Sequence, residues 1–179
     1  PPETSSQVEF GMKVDALDHR LSGSLGVYDI KKKNVLTGTG TTSPTGSPIA
    51  NLSGLQESKG VELSVAYLPV PHWQIQAGYT YIDAKVKTST TATLPGARLD
   101  NTPRNAGNLF TRYNLPAGRL KGLGLSLGVI YVGDRQAIIT NVARTVTVNP
   151  TTGIATVTGP LVLPGYTRVD AGIYYKRGR

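Results

Sequence analysis

The sequence contains no cysteine among its 179 residues and only two histidines, His19 and His72. The absence of cysteine excludes a disulfide framework, a thiolate zinc site and a cysteine nucleophile. Two histidines leave little material for a histidine-based metal site. No apolar run approaches the roughly 20 residues that a membrane-spanning helix needs. The first residues do not resemble a signal peptide, so we expect a cytoplasmic protein, a mature chain or an internal fragment.

Charge is also sparse, and most of it is positive. Charged residues make up 17% of the chain, against the roughly 25% that is usual for soluble domains. The formal net charge is +8, which raises the question of a polyanionic partner. The basic residues are dispersed apart from clusters at residues 31–33 and 176–179. No aromatic residues interleave with these clusters as a base-stacking surface requires, so we predict no nucleic-acid partner.

Apolar residues recur at every second position along much of the chain, which is the pattern of half-buried β-strands. In one such segment the apolar residues from Trp73 to Tyr81 occupy one face, and Gln74, Gln76 and Thr80 occupy the other. Seven segments of this kind run near residues 5–17, 20–33, 56–68, 72–86, 104–115, 122–135 and 165–176. The chain is therefore predicted to be all-β. From the alternation, Leu123, Leu125, Leu127 and Val129 should share one sheet face.

The connections between these segments alternate between tight turns and long links. The long links cover about residues 34–55, 88–103 and 136–164 and are rich in Thr, Ser, Gly and Pro. Links longer than about 15 residues are uncommon in compact soluble domains. An antiparallel up-and-down meander with all its long links at one end is typical of an outer-membrane β-barrel. A soluble β-sandwich is the alternative fold.

The composition of the two faces favours the barrel. The polar face consists mainly of Gly, Ser, Gln and Asn, which suits a wet interior, whereas a soluble sandwich would carry denser charge. Aromatic residues lie near the ends of the apolar face, where transmembrane barrels place two girdles at the membrane interfaces. The predicted interface aromatics are Tyr67, Trp73, Tyr81, Tyr113 and Tyr131.

Six stretches carry a resemblance to a known family. They are residues 3–13, 20–37, 58–63 (SKGVEL), 79–84 (YTYIDA), 131–136 (YVGDRQ) and 163–170 (LPGYTRVD). In their order and spacing they resemble the C-terminal half of a TonB-dependent siderophore receptor of the ferrichrome or hydroxamate kind. The resemblance covers nearly the whole chain outside the long links.

This resemblance implies about seven strands, matching strands 14 to 20, of an incomplete 22-stranded transmembrane β-barrel. Residues 1–179 are then expected to be a partial barrel that lacks the plug domain and the last two strands. The implied function is TonB-dependent uptake of ferric siderophores at the bacterial outer membrane. The implied partners are a ferric siderophore, outer-membrane lipid and the TonB energy complex, which acts through the missing plug. The ferric siderophore is the transported ligand, and no directly bound cofactor is expected. The piece alone is expected to transport nothing.

Three residues are candidates for ligand contact, because they lie on the polar face near the long links: Tyr28, Arg135 and Tyr166. Lys33 and Arg168 are weaker candidates. The sequence predicts no catalytic residue and no metal ligands, and hence no enzyme. An outer-membrane hydrolase would need a histidine near the outer rim, whereas both histidines lie at tight turns. The alternative functions are a passive outer-membrane porin and a structural or adhesive β-protein.

Overall fold

The computed structural model describes residues 2–90, 94–140 and 142–176. Seven long strands build the main sheet, and four short strands lie in the last long link. The long strands are β1 (Thr4–Ala16), β2 (Leu21–Thr42), β3 (Pro48–Val70), β4 (Trp73–Thr88), β5 (Asn105–Asn114), β6 (Leu123–Val132) and β11 (Tyr166–Tyr175). The short strands are β7 (Arg135–Gln136), β8 (Thr145–Val148), β9 (Ala155–Thr158) and β10 (Val162–Leu163). No helix in the described ranges is long and apolar enough to cross a membrane.

The seven long strands form a single antiparallel meander. Their order in the sheet is β1-β2-β3-β4-β5-β6-β11, with β1 and β11 at the two edges, so the sheet is open in the described part of the chain. Tight turns join the strands at one end, and the links that follow Lys33, Lys87 and Gln136 all leave from the other end. We call the two ends the turn end and the loop end. Both the predicted meander and the shared origin of the long links are confirmed.

The register confirms the predicted alternation. Residues paired directly across strands place their side chains on the same face of a sheet. β6 pairs with β5 on one side and β11 on the other without a register shift. One unbroken face therefore carries Leu123, Leu125, Leu127 and Val129. A representative apolar row crosses the first four strands through Met12, Leu25, Leu63 and Tyr79.

The apolar face is not covered by a second layer of the described chain. Large apolar side chains on it are exposed, with Phe10 at 71% and Ile173 at 77%. The buried apolar residues among those described are Ala84, Val86 and Ala97, near the loop end of the sheet. Two sheets packed face to face would have buried these rows, so the sandwich alternative is wrong. An apolar face this extensive matches the lipid-facing surface of a barrel wall.

The first long link is mostly strand, which corrects the prediction for residues 34–55. β2 continues to Thr42 and β3 begins at Pro48, so the connection shrinks to residues 43–47. Register shifts surround Asn34, whose φ of 58° is left-handed. Asparagine tolerates this conformation, and the bulge interrupts the regular alternation without ending the strand. The alternation of apolar and polar residues therefore fails after Lys33 because of a bulge, and not because the strand ends there.

Candidate functional site

The polar face forms the inner wall of the meander. It is the face opposite the apolar rows, and its residues are small or polar at most positions, which leaves room for water. One row near the loop end runs through Gly11, Gly26, Glu62, Thr80 and Ala106. The candidate ligand contacts lie at or beyond this level of the wall.

Tyr28 lies on the polar face of β2, directly opposite Gly60 of β3. A Cβ atom added at Gly60 would overlap the Tyr28 ring, so the ring lies across this glycine. The side chain is half-buried as a result. Tyr28 therefore has a packing role in the wall, whatever else it contacts.

Tyr166 begins β11 and is paired with Val132 on the same polar face. It is 51% exposed, unlike Tyr28. The two tyrosines lie in neighbouring rows but on β2 and β11, which are five strand steps apart. At about 4.8 Å per step, the path along the sheet between them is about 24 Å. The structure therefore places both residues on one wall but does not bring them together.

Arg135 lies beyond the main sheet, in β7, where it pairs with Leu163 of β10. Its Nε donates a hydrogen bond of 2.8 Å to Oδ1 of Asn101. Its Nη1 is buried and has no partner in the described part of the chain, and the same holds for Oε1 of Gln136. Asn101 thus positions the Arg135 side chain, and within the described residues its Nη1 is enclosed without a partner.

A group of contacts that the sequence did not predict fixes the base of the second long link. Arg98 donates from Nη1 to Oδ2 of Asp134 at 2.9 Å and from Nη2 to the Asp134 carbonyl oxygen at 3.0 Å. Backbone hydrogen bonds join the amide of Leu99 to Ala84 at 3.0 Å and that of Asn101 to Gln136 at 2.7 Å. We call this set the rim clasp. It lies beside the last residues of β4 and continues the wall beyond the loop ends of β5 and β6.

The charge pairing in the rim clasp perturbs the titration of its acid. The hydrogen bond from Arg98 holds the pKa of the Asp134 carboxyl below its usual value. Asp134 belongs to the YVGDRQ stretch that carries the family resemblance. Its partner lies 36 residues earlier in the chain, so sequence spacing gave no sign of the pair.

The predicted interface aromatics all lie on the apolar face. At the turn end, the rings of Trp73 and Tyr113 meet edge to face with their centroids 6.4 Å apart. Nε1 of Trp73 donates to Oγ1 of Thr111 at 2.8 Å. Tyr67 lies one row nearer the centre, paired with Ile75. The structure thus groups the turn-end aromatics near one level, while their contact with a membrane interface stays a prediction.

At the loop end, the two remaining aromatics lie in neighbouring rows of the same face. Tyr81 is paired with Val61, and Tyr131 shares a row with Gly107 and Tyr79. Their exposed fractions are similar, at 39% for Tyr81 and 45% for Tyr131. Two levels of aromatic side chains therefore bound the apolar rows.

No group of three or more histidine, aspartate or glutamate side chains is placed to hold a metal ion in residues 2–90, 94–140 and 142–176. His19 lies at the turn end, where its Nδ1 is 2.7 Å from Oδ2 of Asp15 and its side chain is 88% exposed. This location is the one predicted for a turn histidine.

Comparison with known proteins agrees with this architecture. Residues 1–178 match the family described as TonB dependent receptor-like, beta-barrel. The chain belongs to the TonB-dependent receptor family. Proteins of this family are β-barrels of the Gram-negative outer membrane, which is the predicted location. The family and its fold are those of transport receptors.

Two named relatives of this chain are receptors, one for metal-pseudopaline and one for ferrioxamine B. The metal-pseudopaline receptor CntO of Pseudomonas aeruginosa is 32% identical over 174 residues, covering 97% of this chain and 22% of that protein. The ferrioxamine B receptor of Salmonella typhimurium is 34% identical over 131 residues, covering 73% of this chain and 18% of that protein. The chain therefore spans about a fifth of the length of these curated relatives.

Solved structures show the same fold. The ferric-catecholate import receptor Fiu of E. coli K12 superposes with a TM-score of 0.72 at 23% identity, over 100% of this chain and 22% of that one. The siderophore receptor PiuA of Acinetobacter baumannii gives a TM-score of 0.70 at 22% identity, over 98% of this chain and 22% of that one. The seven-stranded meander is thus an arc of a TonB-dependent receptor barrel.

Proposed function

We propose that this chain forms part of the barrel wall of an outer-membrane receptor for TonB-dependent uptake of ferric siderophores. The observation that carries the proposal is the family match over residues 1–178, together with a sheet that has one exposed apolar face and one polar face. The names of the relatives support a metal complex as the cargo. Nothing in the comparisons favours the porin alternative.

In this proposal the ferric siderophore is the transported ligand, and the TonB complex supplies energy through a plug outside the described wall. The inner wall provides orientation and passage, and performs no covalent chemistry, so the chain is not an enzyme. We also propose that residues 1–179 are a partial barrel, whose two sheet edges pair with further strands of the same receptor.

Arg135 is one of the candidate contacts that we propose for the cargo. A ferric siderophore presents oxygen atoms around the metal, and a guanidinium donates to such oxygens in a fixed geometry. Asn101 accepts from Nε of Arg135, and Nη1 is buried without a partner among the described residues, so a contact between Nη1 and the cargo requires the surrounding link to move. Tyr166 offers an exposed ring on the same wall, whereas Tyr28 is already packed across Gly60.

The test measures uptake of radioactive iron by cells that carry the full-length receptor and no other siderophore receptor. Ferrioxamine B and ferrichrome are the probes. We expect uptake of at least one probe that requires TonB and stops when the proton gradient is collapsed. Uptake that survives both treatments would identify a passive porin, and no uptake or binding of either probe would reject the proposed hydroxamate cargo.

The role of Arg135 needs its own comparison. Arg135→Gln should weaken binding of the transported probe, whereas Arg119→Gln, in the turn at the opposite end of the sheet, should not. Equal binding by both variants would remove Arg135 from the site.

A further inference from the structure

The inner wall carries a second group of aromatic and cationic side chains, close to the turn end. Tyr174, on the polar face of β11, is paired with Gly124 of β6. A Cβ atom added at Gly124 would overlap the Tyr174 ring, and Oη of Tyr174 donates a hydrogen bond to Oδ1 of Asn114 on β5. The Tyr174 side chain therefore crosses β6 and reaches the next strand along the inner wall.

Arg112 of β5 stacks on this ring. Its guanidinium carbon is 4.9 Å from the centroid of the Tyr174 ring, which is the geometry of a cation–π contact. The residues paired with Arg112 on β4 and β6 are uncharged. The acid in the adjacent row, Asp170, is paired with Arg168 at 2.9 Å. Among the described residues, the Arg112 guanidinium therefore has an aromatic partner but no carboxylate partner.

A recess of about 450 Å³ lies beside Arg112, on its loop-end side. Its volume is in the range of small-molecule sites. Gly128 and Gly172 leave its floor free of side chains, and Phe110, which is 38% exposed, provides an aromatic side. We call this recess, together with Arg112 and Tyr174, the exit recess. Its polar lining residues include Ser126, Arg168 and Asp170.

The exit recess is far from the candidate contacts at the loop end. The rows of Arg112 and Tyr166 cross β6 at Ser126 and Val132, which are six residues apart. At about 3.3 Å per residue, the two rows are about 20 Å apart along the strand. Tyr113, next to Arg112, belongs to the turn-end aromatics. Because the short turns of outer-membrane barrels face the periplasm, the exit recess lies where a cargo would leave the lumen.

We propose that the exit recess is a second contact point for the ferric siderophore, which the cargo meets as it leaves the lumen; this inference rests on the proposed function. The rings of Phe110 and Tyr174 offer apolar contact to the organic part of the chelate, and the Arg112 guanidinium donates to its oxygen atoms. Passage requires contacts that are weak enough to release the cargo, and an exposed cation provides such a contact. Because Arg112 has no carboxylate partner, the exit recess favours negatively charged chelates.

The test compares binding and uptake by cells that carry the full-length receptor and no other siderophore receptor. The probes are the hydroxamate that the receptor transports, ferrioxamine B or ferrichrome, and a derivative of it with one added carboxylate. Arg112→Gln should not change the binding of either probe to de-energised cells, because the loop end is farther away than the Debye length of about 8 Å. TonB-dependent uptake of the carboxylate derivative should slow about fivefold relative to that of the parent probe. Arg119→Gln, in the tight turn at the same end, is the matched control and should not change this ratio.

Gly128→Val tests the recess without altering a charge. A Cβ atom at Gly128 would meet its nearest atoms at 3.8 Å, which is an ordinary contact, so the barrel should still fold. Uptake of both probes should fall because the added side chain fills the recess, while binding to de-energised cells should stay unchanged. Gels that resolve heat-modifiable barrels confirm that each variant is folded.

Three results would overturn the proposal. Equal slowing of the two probes by Arg112→Gln would show that Arg112 only holds the wall or the plug. Uptake at the wild-type rate by Arg112→Gln or by Gly128→Val would remove the exit recess from the path of the cargo while leaving the proposed function intact. Failure of the wild-type receptor to bind either hydroxamate would reject the proposed cargo, and this inference would fall with it.

Discussion

Removing the Arg98 guanidinium should open the rim clasp without unfolding the barrel wall. The substitution Arg98→Met keeps much of the aliphatic stem, which matters because this side chain is only 17% exposed. It deletes the hydrogen bonds to the carboxylate and the carbonyl oxygen of Asp134 and a longer one, of 3.4 Å, to the carbonyl of Thr102. The perturbation is therefore confined to the junction between the second and third long links.

The expected magnitude follows from the exposure of the two partners. A hydrogen bond from a charged donor contributes about 1.5–3 kcal/mol, but an exposed ion pair contributes ~1 kcal/mol or less. The Asp134 side chain is 58% exposed, so the ion pair takes the lower value, and the carbonyl bonds add the rest. The local loss is about 2 kcal/mol, which corresponds to about a 30-fold rise in the open population.

Hydrogen exchange of the full-length receptor measures this opening directly. The amides of Leu99 and Asn101, which donate to Ala84 and Gln136, should exchange about 30-fold faster in Arg98→Met. Amides in the centre of β6 should be unaffected. Arg144→Met, in the third long link, serves as the control substitution.

Two outcomes would contradict this reasoning. Unchanged exchange at Leu99 and Asn101 would mean that backbone pairing alone holds the rim. Faster exchange throughout β6 would mean that Arg98 supports the whole wall and not a local junction. A double-mutant cycle with Asp134→Asn isolates the pair, because that variant keeps the carbonyl that Arg98 also contacts.

Three further predictions concern the two faces, a glycine and pH. Leu109→Arg, in the middle of the apolar face, should lower the free energy of unfolding of the barrel by about 2–4 kcal/mol in urea titrations. Asn108→Arg, on the polar face, should lower it much less. The reverse order would mean that the two faces are assigned the wrong way round. Gly60→Ala should reduce the folded fraction on gels that resolve heat-modifiable barrels, because a tyrosine ring lies across it, whereas Gly26→Ala should fold normally. The pKa of Asp134 is lowered in the folded state, so its contribution to the stability of the rim clasp is complete above the unfolded-state pKa and is lost as pH falls through the folded-state pKa. Hydrogen exchange at the rim clasp, corrected for intrinsic rates, should therefore rise only under acid conditions. A rise near neutral pH would contradict this prediction.

The regular part of this fold could be predicted from the sequence because its signal is local. From Trp73 to Tyr81 the alternation in the sequence already assigns each residue to one face of the sheet. Strand pairing determines only which residues of the adjacent strands lie beside it. The same holds for β6, where four aliphatic residues alternate with small or polar ones. The alternation fails at Asn34, where a bulge adds a residue and shifts the register, so the extension of β2 to Thr42 was missed.

The candidate site was predicted only in part, because its contacts join distant segments. The polar-face position of Tyr28 and Tyr166 follows from period 2, but the packing of Tyr28 on Gly60 requires the register between two strands. The pairing of Arg98 with Asp134 depends on how two long links leave the sheet, which no local pattern specifies. The basic cluster at residues 31–33 was visible in the sequence, but the ion pairs of Glu57 with Lys31, Lys59 and Lys87 depend on the alignment of three strands.

The length of the β2–β3 hairpin sets the reach of this receptor above the cell surface. β2 has 22 residues and β3 has 23, whereas crossing the bilayer takes about 10. At about 3.3 Å per residue and a tilt near 40°, the surplus raises the tip at residues 43–47 roughly 25–30 Å above the hydrocarbon layer. A large extracellular protein that approaches the barrel would therefore contact the hairpin tip before it contacts the rest of the wall.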